Sequence, residues 1–558
     1  MGKVKSASWV LWCLFSQPEL FSSSGWTSIS LDWNSNDAFF TFTRGRFMVD
    51  EAENLRKREI KFDLNQLAQV AADAVGASCC ISVKKYPDGM FNKAFALTMD
   101  NGREVVAKVP NPNAGIPHFT TASEVATMDF ARKILDTPAP VVHAWNSQAK
   151  SHPVGAEFII MDKMKGVPLS QVWAKMQLPQ KLQVLLAVTR MQKRWLSVLF
   201  SHYGSLYYAS DLQTSAGSHY IKDGKAVMDS EFALGPATGR EWVDAGRASL
   251  DIDRGSWTSL TQYLRAVADR ERTAIRLLKP PKQIALFCGP RLYQPNPETK
   301  LTALSHYQQI IDALAPSDGT IKSPYLWHDD LHDDNIFVDP SNPEEITGII
   351  DWQSCHISPL YNHNPDPAFL SWDGLEPETL DLLPRPKLSG LSPEERAAAL
   401  HEYSYHNIFI GWRKLMQAKN PELYAAVEFR KTAPYGLIFL AHRMFEYGEA
   451  HFESLLADLK DTWPDLPAVP SNKPFPFDFS KEEYERIKTS SDHAVAATDL
   501  VTEVKEQLGD LYPDKGFIEH DRFDDCKSAL EDVRLQILEQ LAQSEEERAE
   551  FDRHWPFK

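Results

Sequence analysis

The sequence predicts an α+β fold of two lobes, a small N-terminal lobe built on a sheet and a large C-terminal lobe that is mainly helical. Three observations predict it. A three-strand pattern runs from Cys80 to Val109. Helical patterns with long loops dominate from Leu169 onward. Two short strands return between Tyr325 and Ile350, inside the helical part.

Each element has a local reason. A helix is expected over Asp63 to Val75, where Leu64, Leu67, Val70 and Ala71 recur at helical spacing and Gly76 ends the pattern. Strands follow at Cys80 to Val83, Phe91 to Met99 and Glu104 to Val109. Pro87-Asp88-Gly89 turns the chain between the first two. Asp100-Asn101-Gly102 joins the last two, with Asn-Gly expected in a type I′ turn. A helix is expected from Ala122 to Leu135, a strand at Phe158 to Met161 and a linker at Lys165-Gly166-Val167-Pro168. The expected organisation is an arm over 1–60, a sheet lobe over 61–165, a helical lobe over 166–480 and a peripheral helical extension over 481–558.

Bulk properties narrow the function. The 558 residues carry a net charge of −17 and no basic patch, which argues against nucleic acid as a partner. Six scattered cysteines, with no C-x-x-C pair, read as reduced thiols and not as a disulfide framework or zinc site. No apolar run reaches the length of about 20 residues that a membrane helix needs. The start is serine-rich, with Lys3, Lys5 and a single acid, Glu19, before residue 32. It is compatible with a mitochondrial presequence, although no arginine precedes Arg44; a cytoplasmic location with an unstructured start is the alternative.

The chemistry concentrates between His328 and Asp351. The segment Leu326-Trp327-His328-Asp329-Asp330-Leu331-His332-Asp333-Asp334-Asn335-Ile336-Phe337-Val338 contains the pattern His-x-Asp-x-x-x-x-Asn. Phosphoryl transfer needs a carboxylate to orient an attacking hydroxyl, oxygen ligands for magnesium and positive charge beside the phosphates. Asp330 is the expected catalytic carboxylate, Asn335 one magnesium ligand and Asp351 the other. Phe337 to Val338 and Ile346 to Ile350 read as antiparallel strands around a loop from Pro340 to Glu345. Reflecting Asn335 across that loop lands beside Ile350 and Asp351, so both ligands meet at one end. His328 is expected to brace the catalytic loop rather than move protons. His332 is ambiguous, and Asp333 and Asp334 read as solvated loop charges.

His328 to Val338 followed by Ile349-Ile350-Asp351-Trp352 resembles the aminoglycoside phosphotransferase family, a branch of the protein-kinase-like two-lobe fold. Phe42 to Arg46, Gly89 to Phe95, Ala107 to Pro110, Thr121 to Met128 and Gly204 to Tyr208 further resemble the fungal altered-inheritance-of-mitochondria protein nine family. The resemblance implies ATP bound between the lobes. Lys108 then matches the lysine that holds the phosphates, against a plain reading as a solvent-facing strand lysine. Glu124 matches its helix partner, although Thr121-Ala122-Ser123-Glu124 is also a capping box. Gly89, Asn92 and Lys93 stand at the strand turn over the phosphates, or only connect two strands. Asp162 and Met164 fall at the hinge beside adenine, which is reached through backbone atoms. Two departures stand out: Asp329 replaces a small residue, and Gln353 stands where many members carry an acid.

The expected activity is ATP- and Mg2+-dependent phosphoryl transfer to a hydroxyl of a small molecule. A nucleotide-binding pseudokinase serving as a scaffold in mitochondrial maintenance is the rival. A protein kinase is disfavoured by the missing glycine-rich fingerprint and the missing A-P-E segment.

Overall fold

The computed structural model describes residues 32–557 apart from 213–216, 218, 371, 373 and 375. The presequence expectation falls on residues outside this range.

The arm opens with 3-10 turns, a strand β1 (Gly45–Phe47) and a helix α1 (Glu51–Arg56). Helix α2 (Leu64–Ala74) starts where Asp63 accepts the Gln66 N–H, a side-chain cap for one of the orphan donors of the first turn. Its apolar stripe of Leu64, Leu67, Ala68, Ala71 and Ala72 is buried against a five-stranded antiparallel sheet. The strands are β2 (Cys80–Lys85), β3 (Asn92–Met99), β4 (Glu104–Pro110), β5 (Val142–Asn146) and β6 (Phe158–Asp162), in the order β2-β3-β4-β6-β5. Side chains alternate along a strand, and Val105, Ala107 and Val109 of β4 face α2. Lys108 must therefore face the other way, toward helix α3 (Phe119–Lys133) and the cleft.

The β3–β4 turn differs from the expected type I′. Only Gly102 has a positive φ (81°), Gly102 N–H donates to Met99 O (3.0 Å) and Met99 pairs with Arg103. This is a three-residue loop with glycine in the left-handed position, a form that needs one positive φ and not two.

The linker is a short strand, β7 (Val167–Pro168), which adds to the hairpin of Ile336–Asp339 and Asn342–Ile349. That hairpin turns sooner than expected. Its second strand begins at Asn342, and register shifts absorb the extra residues that read as a loop. Gly166 enters β7 with φ +90°, and a Cβ there would lie 2.1 Å from Val338 O. Gly166→Ala is expected to add about 1–3 kcal/mol of backbone strain plus the clash, and so to lower the thermal unfolding midpoint markedly. Unchanged melting of that variant would contradict this close approach.

The C-terminal lobe is led by helices Leu178–Leu196, Leu260–Leu277, Pro297–Leu314 and Pro393–Lys419 around one large core. The stretch from Leu169 to Lys322 is not mainly helical throughout. Between Val198 and Gly235 it holds five short strands, two of them joined at Asp223-Gly224 with φ of 50° and 72°. That Asp-Gly dipeptide is a hairpin signal, and its strands are only three residues each, too short to show an alternation. The final segment is also not peripheral. Phe517–Glu519 pairs with β1, and Cys526, Leu530 and Val533 of helix Phe523–Gln540 are buried with Val49 of the arm. No described helix is long and apolar enough to cross a membrane.

Candidate active site

Strand Pro324–Trp327 delivers the chain to the loop from His328 to Asn335, and the hairpin beyond it carries the chain back to Asp351. Ile336 pairs with Ile349, and Ile350 N–H donates to Asn335 O (3.0 Å). The reflection drawn on the sequence thus holds at its working end. Asn335 Nδ2 donates to Asp330 O (3.0 Å), which fixes the amide and leaves Oδ1 without a protein donor. Asp351 adopts φ 61°, a conformation that costs a non-glycine residue energy and clusters at functional sites.

Lys108 Nζ lies 2.6 Å from Glu124 Oε1 and 2.7 Å from Asp351 Oδ1. The lysine is buried with its face to the cleft, so it is not the solvent-facing alternative. Helix α3 begins at Phe119, several residues before Glu124, and its N-cap His118 makes no side-chain cap bond. Glu124 is therefore a lysine partner and not a cap. Burial works against the Lys108 ammonium, but Asp351 and Glu124 outweigh it and hold the pKa well above the ordinary lysine value. Burial, with Asp351 nearby, pushes the Glu124 carboxyl up despite Lys108. Burial also pushes Asp351 up, yet Lys108 outweighs it and the net direction is down.

Asp330 sits on the open side of the cleft with its side chain half exposed, and His332 Nε2 is 2.7 Å from its Oδ1. Partial burial and the Asp351 carboxylate push the Asp330 pKa up, against the pull of His332, His328 and Lys515. His328 is buried, with Nε2 3.0 Å from Ile350 O and its ring edge-on to Trp352. Burial lowers its pKa, so the ring is neutral. His328 is thus a positioning residue that ties the loop to the Asp351 strand. Asp334 accepts the Ser170 hydroxyl (2.6 Å) and is a buried tether, not a solvated charge.

The turn over the cleft departs from the expectation. Lys93 is fully buried, with Nζ 3.0 Å from both Asp88 Oδ1 and Thr41 O, and burial lowers its pKa to about 8. It is an internal tie to the arm and is not presented to a phosphate. Gly89 closes the turn through its N–H to Asn92 O (3.1 Å) without a positive φ. Asn92 Nδ2 donates to Gln353 Oε1, and Gln353 Nε2 donates to Ala114 O (3.0 Å), so Gln353 ties the two lips of the cleft. Asp162 turns its carboxylate to His143 Nε2 (2.7 Å) and accepts the Val141 N–H (3.2 Å). Met164 packs over Gly348 in the strand that leads to Asp351.

Asn111, Asn113 and Lys515 at the cleft were missed in the sequence, whereas Asn92 was named there. Asn111 is buried with neither amide atom hydrogen-bonded, and Asn113 Oδ1 and Asn92 Oδ1 are likewise unpartnered. Asn111 N–H and Asn113 Nδ2 hold Phe91 O and Met90 O, so these orphans sit beside the turn. Buried polar atoms are seldom left unpaired, and such a cluster fits a polar ligand. The Asn-Pro-Asn run after the third strand was the available signal. Lys515 reaches the electrostatic surroundings of Asp330 from the C-terminal segment, which no local pattern reveals.

The donor set fits magnesium and a nucleotide. Asn335 Oδ1 and the Asp351 carboxylate are hard oxygen ligands, and Lys108 is a fixed cation beside them.

The phosphotransferase enzyme family, APH, matches residues 82–362. A subtelomeric hrmA-associated cluster protein of Aspergillus fumigatus is 28% identical over 86% of this chain and 97% of its own. Altered inheritance of mitochondria protein 9, mitochondrial, of Yarrowia lipolytica is 24% identical over 82% of each. Among solved structures, the GDP and kanamycin complex of APH(2")-IIia is 13% identical, covers 70% of this chain and 98% of that one, and has a TM-score of 0.30. With the family match spanning half of the sequence, this chain belongs to the phosphotransferase enzyme family.

Proposed function

We propose that the chain transfers the γ-phosphoryl group of ATP, with Mg2+, to a hydroxyl of a small molecule. The observation that supports this most is the meeting of Lys108 with Asp351, 243 positions apart, beside Asn335 and Asp330. Asp330 accepts the hydroxyl proton as the acceptor oxygen attacks the γ-phosphorus, the bond from that phosphorus to the bridging oxygen breaks and ADP leaves, and His332 steadies the carboxylate. Lys108, held by Glu124, stands against the phosphates. Asn335 Oδ1 and Asp351 would hold the metal, which would supply positive charge to neutralise the phosphates. Lys108 Nζ is held by Glu124 as well as by Asp351, so it would keep one carboxylate partner if Asp351 turned to a metal.

Thermal unfolding tests nucleotide binding. A ligand at about 100 times its Kd adds about 2.7 kcal/mol to the folded state. Mg-ATP at millimolar concentration should raise the melting temperature, more than ATP with a chelator does. No rise in a folded sample removes the reading.

The basic, serine-rich start and the relatives named as mitochondrial support action in mitochondria. A C-terminal fluorescent fusion should mark mitochondria, and removal of residues 1–40 should disperse it. A diffuse signal from the full-length fusion rejects this location.

A further inference from the structure

Behind the catalytic loop, three side chains with no part in phosphoryl transfer converge. Asp329 precedes Asp330. His356 opens strand His356–Pro359, which pairs antiparallel with Pro324–Trp327, and His363 follows the next turn. One donor atom from each lies within 4.8 Å of the other two. His363 Nδ1 is 3.0 Å from Asp329 Oδ2, and His356 Nδ1 is 3.9 Å from the same oxygen.

Asp329 and His363 are each oriented by a further partner. Asp329 Oδ1 accepts the Asn364 N–H (2.8 Å), which aims Oδ2 at the imidazoles. His363 is fully buried, stacked on Trp327, with Nε2 2.8 Å from Tyr325 O. A carbonyl can only accept, so Nε2 carries the hydrogen. In the neutral ring Nδ1 then turns its lone pair on a carboxylate, which repels unless a cation lies between them. His356 has both ring nitrogens buried and unpartnered, Nδ1 toward Asp329 and Nε2 toward Glu241 Oε1 (3.9 Å). Glu241 is itself fixed by Trp242 Nε1 and Tyr263 OH, each at 3.1 Å. A histidine whose far nitrogen meets a carbonyl or a carboxylate is the arrangement that supports metal ligation.

We infer that Asp329 Oδ2, His356 Nδ1 and His363 Nδ1 form a site for a divalent transition-metal ion of the zinc type, which fastens the catalytic loop to strand His356–Pro359. Two imidazoles and one carboxylate suit zinc, whereas magnesium takes oxygen ligands. Tetrahedral bonds of about 2.0–2.2 Å place donors roughly 3.3–3.6 Å apart. His363 and Asp329 are near that spacing, and His356 must approach by about half an ångström. Glycine at 239 keeps a side chain off the His356 ring, where a Cβ would stand 3.1 Å from Nδ1. Asp329 is 32% exposed, so water can complete the coordination. The site shares no residue with the proposed magnesium ligands and does not depend on the phosphotransfer reading.

Cobalt(II) is the probe, added to full-length protein in an Asp351→Asn background so that the oxygen-ligand site does not compete. We expect one Co2+ per chain, with visible d–d absorption that millimolar Mg2+ leaves intact and Zn2+ abolishes. His356→Asn, His363→Asn and Asp329→Asn should each weaken binding at least ~10-fold, and His401→Asn on a distant helix should not. Should His363→Asn not fold, the less buried His356 and Asp329 variants give the same reading. The inference is overturned if the parent shows no d–d absorption, or if these variants bind Co2+ like the parent. It is overturned equally if Zn2+ and Co2+ leave the melting temperature unchanged, since a proton alone would then satisfy the cluster.

Discussion

Asp330→Asn is expected to bind Mg-ATP nearly as the parent does and to lose turnover by about 10²-fold or more, the scale of a lost general base. The side chain keeps its size and sits half exposed, so the fold should tolerate it. It loses the ability to take a proton from an acceptor hydroxyl. Binding survives because Lys108, Asn335 and Asp351 are untouched. A strain carrying Asp330→Asn at normal abundance should behave like a deletion strain. If it behaves like wild type, Asp330 is not catalytic and the nucleotide-binding scaffold reading replaces the enzyme.

Lys108→Met should have the larger effect on the protein itself. It leaves Glu124, 2% exposed, facing Asp351 with no cation between them. Breaking a buried pair from one side costs about 3–5 kcal/mol. The sign with pH follows from Glu124, whose folded pKa is already raised by burial and by Asp351. Without Lys108 it rises further. A raised folded pKa favours the fold fully below the ordinary carboxylate value of about 4.3, and that advantage is lost as pH rises through the folded value. The variant's deficit against the parent should therefore be small near pH 4 and large at neutral pH. Lys108→Met with Glu124→Gln should recover much of the stability and none of the turnover. A deficit equal at acid and neutral pH would contradict the ion-pair account.

Where the chemistry resides on one short stretch, the sequence was legible. Asn335 and Asp351 flank a single hairpin, whose antiparallel pairing brings them together, and Asp330 stands five residues earlier in the loop that Asn335 ties. Lys108 was named through the family resemblance alone; the fold then shows why it faces the cleft, since α2 covers Val105, Ala107 and Val109 on the other face of its strand. Lys93 was not, because its fate depends on Asp88 and Thr41, and a buried tie to an irregular arm leaves no periodic trace. The strands between Val198 and Gly235 were too short to alternate. The pairing of β1 with Phe517–Glu519 joins segments almost a whole chain apart, so no local pattern could announce it. Gln353 read as a lost acid on the sequence, and only the fold shows it spanning the cleft to Asn92 and Ala114.

The most direct measurement is incubation of the full-length protein with Mg2+ and ATP labelled at the γ-phosphate, together with a fractionated metabolite extract. The account predicts that label appears in a small molecule, through an alkali-stable phosphate ester on a hydroxyl. It also predicts none with Asp330→Asn or without Mg2+. Label transfer undiminished in Asp330→Asn, or none from any fraction with protein that binds Mg-ATP, would contradict it.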